Sequence, residues 1–290
     1  MHPKLTGAAR TDVGLRRENN EDAHLFDDAL GLYLLADGMG GHAAGDVASR
    51  MVVETVSEYI RHFLDKPAGA PDRFPLRDET LSDRANTVLQ AIQLANQVVH
   101  QAAENKKAYH GMGSTVVLLL ADGKDLLLAH VGDSRAYRSR SGRLERLSVD
   151  HRLAEDPQFK GVIENYESTM IARIGHTLTR AMGVHPQVAL DIQRLEVLPG
   201  DLFLLCSDGL YDMVSAEMIA QVLAADEDLA AKSGQLVDLA LAGGGKDNVT
   251  VILAEASGRG RKLKGLLSRI SQGRPSAKQG KAAVSAPAAG

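Results

Sequence analysis

Five aspartates in this chain stand where an apolar run has just ended or is about to begin, with glycine or asparagine close by. They are Asp22 in Asn19-Asn20-Glu21-Asp22, Asp37 in Leu34-Leu35-Ala36-Asp37-Gly38, Asp133 in Val131-Gly132-Asp133-Ser134-Arg135, Asp208 in Cys206-Ser207-Asp208-Gly209, and Asp247 in Lys246-Asp247-Asn248. A fold that collects strand ends would collect these carboxylates with them. No histidine or cysteine cluster competes as a ligand set. Oxygen-only ligation suits hard divalent cations such as Mg2+ or Mn2+, so the residues point to a two-metal site and metal-assisted hydrolysis.

The sequence supplies its own control for the plainer reading of Asp-Gly as a turn. Asp122-Gly123 separates two apolar runs, residues 115–120 and 126–131, and a β-hairpin accounts for it fully. Asp37-Gly38 is followed instead by Met39-Gly40-Gly41-His42-Ala43-Ala44-Gly45 and then by helical spacing. Asp208-Gly209 leads into Leu210-Tyr211-Asp212-Met213-Val214. Strand, carboxylate, glycine, helix is the layout of a site at a strand end.

The chain has 290 residues, 44% of them hydrophobic, which is enough for a sizeable core. Trp is absent and aromatics are 4%, so a stacking platform for single-stranded nucleic acid is unsupported and no nucleic acid partner is expected. The N-terminus lacks the apolar core of a signal peptide, and no apolar run is long enough to span a bilayer; a cytoplasmic protein without a transmembrane segment is expected, as a monomer. Cys206, the single cysteine, ends an apolar run, the usual place for a small buried thiol, and disulfides within the chain are excluded.

Charge divides the chain. Residues 258–290 carry eight Lys or Arg and no acid, so the net −4 of the whole leaves −12 on residues 1–257. We therefore expect a catalytic domain over 1–257 and a basic tail over 258–290 with the composition of disorder. In the tail, Leu263, Leu266, Leu267 and Ile270 fall at helical spacing beside basic residues, which would allow weak docking to an acidic partner or an anionic membrane surface.

Residues 31–36, 115–121, 126–131, 201–206 and 249–254 read as short buried strands. Helical spacing of apolar residues runs from Val52 to Phe63 and from Ala85 to Ala102. Residues 151–183 are mixed and polar, weakly helical around 158–165, and would overhang the site as a flap that sets specificity.

In order and wording these motifs resemble the metal-dependent PP2C or PPM protein phosphatases, specifically the bacterial serine/threonine phosphatases. The resemblance spans about residues 11–255. It rests on Gly14-Leu15-Arg16-Arg17-Glu18-Asn19-Asn20-Glu21-Asp22, Ala36-Asp37-Gly38-Met39-Gly40-Gly41-His42, Gly111-Met112-Gly113-Ser114-Thr115, Val131-Gly132-Asp133-Ser134-Arg135-Ala136-Tyr137, Ser207-Asp208-Gly209-Leu210 and Asp247-Asn248-Val249-Thr250. It implies an α+β fold, a four-layer α-β-β-α sandwich of two antiparallel sheets flanked by helices, with metals at one end between the sheets.

The same resemblance implies roles. Asp37 would bridge two Mg2+ or Mn2+ ions, with the Gly38 carbonyl on one and Asp208 and Asp247 on the other. Glu21 and Asp22 would act through water held by the metals. Asp133, with Asp208 and with Asp212 as a lesser contributor, would bind a third, weaker ion. Arg17 would grip the phosphate through parallel N–H donors; by itself it reads as a solvated surface arginine. The two ions would share a water, lower its pKa and present hydroxide in line with phosphorus.

A cysteine nucleophile is not supported, because Cys206 is followed six residues on by Asp212 and not by a phosphate-binding arginine. The general acid stays open. Many relatives carry His where this chain has Met39, which leaves His42, a water on the metal, or no acid.

The implied activity is hydrolysis of phosphoserine and phosphothreonine in proteins, opposing a bacterial Ser/Thr kinase. Two alternatives stand beside it. One is a phosphohydrolase for small metabolites, separable by comparing phosphopeptides with sugar phosphates. The other is a catalytically silent module that binds phosphoproteins, which loss of a metal carboxylate would signal; none is lost here.

Overall fold

The computed structural model describes residues 4–40, 44–67, 69–155, 174–175 and 177–257. The chain divides into a compact unit, Met1–Ser257, and a second, Gly258–Gly290, whose residues lie outside the described ones. The expected basic tail, with its docking stretch, therefore falls outside the described residues.

Two antiparallel sheets form the centre. One follows the order β1 (Leu5–Asp12), β11 (Val249–Ala256), β10 (Leu202–Cys206), β7 (Arg135–Arg140), β8 (Arg143–Arg146). The other runs β2 (Asp22–Asp27), β3 (Leu32–Met39), β5 (Val116–Asp122), β6 (Asp125–Val131), β9 (Asp191–Glu196), with β4 (Gly113–Ser114) paired to the end of β3.

Alternation along these strands builds four layers. On β3, Leu32, Leu34 and Ala36 pack beneath the helices α1 (Gly45–Phe63) and α2 (Asp83–Asn105), while Tyr33 and Leu35 face the other sheet. β5 repeats the pattern, with Val116, Leu118 and Leu120 outward and Val117 and Leu119 inward. In the sheet that holds β10 and β11, Phe203, Leu205, Ile252 and Ala254 point inward. Leu204, Cys206, Val251 and Leu253 pack against α3 (Asp208–Tyr211), α4 (Ala216–Ala224) and α5 (Leu229–Ala242). Strands buried on both faces read as continuous apolar runs, which is why these were the legible ones. Each fully buried Leu contributes about 1.5–3 kcal/mol of burial, so the three apolar layers outweigh any single polar contact. The fold is the expected α-β-β-α sandwich.

The alternation also decides where the polar residues go. Positions 33 and 35 of β3 are followed inward by Asp37, positions 203 and 205 of β10 by Ser207, and positions 252 and 254 of β11 are preceded by Thr250. At one end the apolar filling between the sheets thus gives way to carboxylates and hydroxyls.

One expectation needs correcting, and several elements went unread in the sequence. Asp37 does not follow its strand but lies inside it, because β3 continues to Met39 through pairing with β4. Strands β1, β2, β8 and β9 form sheet edges and carry few large apolar residues, so no apolar run announces them. β7 was masked by its arginines in the same way, and α4 and α5 complete the outer helical layer. The expected helical turn at 158–165 lies outside the described residues.

Candidate metal centre

β2 and β3 pair in a register that sets Asp22 directly opposite Asp37. Like charges in that position repel, and the sheet holds them there regardless. The opposing sheet supports Asp22: its Oδ2 accepts from Ser207 Oγ at 2.8 Å and from Thr250 Oγ1 at 2.6 Å. Because Thr250 donates to the carboxylate, its oxygen accepts from Thr11 Oγ1 at 2.7 Å, and Thr11 accepts from Asn20 Nδ2 at 2.8 Å. Asp22 Oδ1 is buried and has no hydrogen-bond partner among the described residues.

Asp37 is fixed through its backbone. Its N–H donates to Thr115 Oγ1 at 2.9 Å, and its carbonyl accepts from Thr115 N at 2.8 Å and Ser114 Oγ at 3.0 Å. Gly38 is obligatory next to it, since a Cβ there would lie 2.0 Å from the Gly45 carbonyl oxygen at the start of α1. Asn248 anchors the loop before β2, donating to the Val13 and Asn19 carbonyls at 2.9 Å and accepting from Glu21 N at 2.8 Å. Gly14 in that loop has φ +78°, and a Cβ would meet the Asp247 carbonyl oxygen at 2.3 Å.

These elements enclose a cleft of about 570 Å³ lined by Arg17, Glu18, Asn19, Glu21, Asp37, Gly38, Met39, Gly40, Thr115, Asp133, Arg152, Leu178, Asp208, Asp212 and Asp247. Of the residues singled out in the sequence, Arg17, Glu21, Asp37, Gly38, Asp133, Asp208 and Asp247 line it, and Asp22 lies opposite Asp37. His42 lies outside the described residues. Arg17 sits at the rim, half-exposed, donating from Nη2 to Asp247 Oδ2 at 2.7 Å with Glu21 3.8 Å from Nη1.

Among the described residues the lining carries an excess of negative charge, seven carboxylates against two guanidinium groups. Burial first, and neighbouring carboxylates second, raise Asp37 well above the usual carboxylate range and push Asp208 up to about 7. Burial likewise pushes Asp22 up to about 6 against the pull of its Thr250 and Ser207 hydrogen bonds. Glu21 is raised by burial, with Arg17 pulling it back. Carboxylates held this close favour the proton because they lack positive charge. The orphaned Asp22 oxygen and the all-oxygen donor set fit hard divalent cations.

The sequence reading passed over Arg152, Asn248, Ser207 and Thr250 as site builders. The last three stand in the quoted motifs beside Asp208 and Asp247, and their adjacency was the available signal. A further ligand cluster, His130, His151 and Asp191, lies outside the cleft lining. It already carries a cation: Arg180 Nη1 is 3.2 Å from His151 Nε2 and 2.8 Å from Asp191 Oδ1.

A family model described as protein phosphatase 2C matches residues 7–239. The serine/threonine protein phosphatase PstP of Mycobacterium tuberculosis is 37% identical over 251 residues, covering 87% of this chain and 45% of that protein. The chain thus spans about half the length of these mycobacterial relatives. The serine/threonine phosphatase stp of Listeria welshimeri is 34% identical over 249 residues, covering 85% of this chain and 94% of that one. Among solved structures, the catalytic domain of PstP in complex with two manganese ions superposes with a TM-score of 0.68 at 34% identity, covering 88% of this chain and 99% of that one.

Proposed function

Because the chain belongs to the protein phosphatase 2C family, we propose that it hydrolyses phosphoserine and phosphothreonine in proteins with the help of Mg2+ or Mn2+. The observation that carries this reading is the meeting of Asp22, Asp37, Asp208 and Asp247 at one end of the two sheets, with a buried Asp22 oxygen left without a partner among the described residues.

Asp37, Asp208, Asp247 and the Gly38 carbonyl would hold a pair of cations, and Glu21 and Asp22 would serve them through water. Bound there, the cations supply positive charge that activates a water and offsets charge on the phosphoryl group. The remaining work belongs to the chain. Thr250 and Ser207 orient Asp22, and Asn248 holds Glu21 in place. Arg17, already at the rim, swings from Asp247 to the phosphate and aligns it through two parallel N–H donors. Met39 lines the cleft and carries no proton, so any general acid for the leaving oxygen would be His42 or water, or the step runs without one.

Cys206 takes no part. It is buried, and burial pushes its thiol far above the range in which a thiolate forms near neutrality. All carboxylates of the set are retained, which argues against a silent binding module.

We place the protein in the cytoplasm, as a monomer acting on phosphoproteins against a cognate Ser/Thr kinase. No helix among the described residues is long and apolar enough to cross a membrane. We assign catalysis to residues 1–257, with 258–290 as a basic tail that could dock only weakly to an acidic partner. The test is release of phosphate from phosphoserine and phosphothreonine peptides with and without Mn2+, beside sugar phosphates. Faster turnover of sugar phosphates would favour a metabolite phosphohydrolase.

A further inference from the structure

Asp133 and Asp208 are the residues expected to share a third cation, yet a side chain of this chain already stands between them. Arg152 Nε donates to Asp133 Oδ2 at 2.5 Å, and its Nη2 lies 3.7 Å from Asp208 Oδ2. The guanidinium is held on a further side: Nη2 donates to Tyr211 Oη at 2.8 Å, and Cζ lies 5.5 Å from the centre of that ring. Tyr211 Oη donates in turn to the Asp133 carbonyl at 3.0 Å, so one phenol steadies both the arginine and the loop it meets.

The backbone is fixed as firmly. His151 N donates to the Gly132 carbonyl at 3.0 Å, and Gly132 N donates to His151 Nδ1 at 3.1 Å, which ties the residue before Arg152 to the residue before Asp133. Arg152 itself bridges to Leu178. Its side chain is 8% exposed and that of Asp133 9%. This is therefore a desolvated, multiply bonded pair and not one of the exposed ion pairs that contribute little.

A guanidinium in that place changes what the carboxylates can do. Asp133 Oδ2 is engaged, the nearest edge of Asp208 faces positive charge, and a divalent ion arriving there would meet a fixed cation at close range in a low-dielectric pocket. We propose that Arg152 is this chain's built-in substitute for a third metal ion, so that it binds a pair of divalent cations around Asp37 and none at Asp133. Asp133 then serves to anchor Arg152. This inference rests on the binuclear reading of the Asp37 site.

Counting Mn2+ on the full chain by equilibrium dialysis tests it. The wild type should hold two ions per chain, and Asp133→Asn should still hold two. Arg152→Met, which keeps the reach and removes the charge, should gain a third ion, and Arg152→Met with Asp133→Asn should lose it again. A wild type that binds three ions, one of which disappears in Asp133→Asn, overturns the inference and leaves the binuclear site standing. A wild type that binds none overturns both. Arg152→Met that melts cooperatively and still binds two also overturns it. Should Arg152→Met fail to fold, the wild type against Asp133→Asn decides alone.

Discussion

Asp22 and Asp37 face each other across the β2–β3 ladder, with the β10 and β11 hydroxyls of Ser207 and Thr250 reaching across from the opposing sheet to the Asp22 carboxylate. Register fixes the pair: a slip of one residue would turn Asp37 toward α1 and α2 and bring Ala36 to the inner face. The two sheets therefore hold together what electrostatics would separate, and the cost is met when a cation binds. Burial and mutual repulsion are the reason these carboxyls hold protons so tightly in the cation-free chain.

That cost has a pH signature. Asp22 and Asp208 rise from 3.8 to about 6 and about 7 on folding, so the native chain binds more protons than the unfolded one between these limits. The stability they contribute is complete below about pH 4 and is lost as pH rises through 6 and 7. In EDTA, the melting temperature of the wild type should fall relative to that of Asp22→Asn between pH 5 and 7.5. Added Mn2+ should raise the wild type more at pH 7.5 than at pH 5, because ligands must be ionised. A gap between the two proteins that does not move with pH would contradict this.

Thr250→Val keeps shape and removes the hydroxyl that donates to Asp22 Oδ2 and receives from Thr11. Asp22 would serve the cations through water, so loss of its Thr250 partner should weaken metal binding by no more than the about 10–100-fold seen for an outer partner of a ligand. Titration with Mn2+ should show that loss in a protein that still folds, and unchanged affinity would mean that Asp22 does not serve the metals.

Arg17→Ala removes a phosphate clamp. The ratio kcat/KM on a phosphopeptide should fall by about tenfold or more, as expected for a charge-assisted hydrogen bond, with Mn2+ affinity little altered. An unaltered kcat/KM would rule out the phosphate contact.

Removing residues 258–290 should leave hydrolysis of p-nitrophenyl phosphate intact, since β11 ends at Ala256 and the carboxylates of the cleft, among the described residues, lie at or before Asp247. A folded truncation without activity would place the tail within the catalytic domain.

Strands buried on both faces, β3, β5, β6, β10 and β11, were legible because apolar side chains fill both layers around them. Edge strands such as β2 were not. That omission hid the most telling relation of the site, since only the β2–β3 register shows Asp22 to be the partner of Asp37. The carboxylates themselves could be read from their placement beside Gly and Asn at strand ends. Arg152 could not, because its role depends on Tyr211 and Asp133, which are distant in sequence and meet only when the sheets stack.

The central claim is that carboxylates from both sheets hold the cations that drive hydrolysis, and Asp37 is the residue on which it turns. The most direct measurement is Mn2+-dependent phosphate release from a phosphothreonine peptide by the wild type and by Asp37→Asn, each shown to be folded by its melting curve. Loss of an outer partner alone costs about 10–100-fold, so loss of a ligand should exceed a hundredfold, with Mn2+ unable to restore activity. Turnover by Asp37→Asn near that of the wild type, with Mn2+ present, would contradict the account.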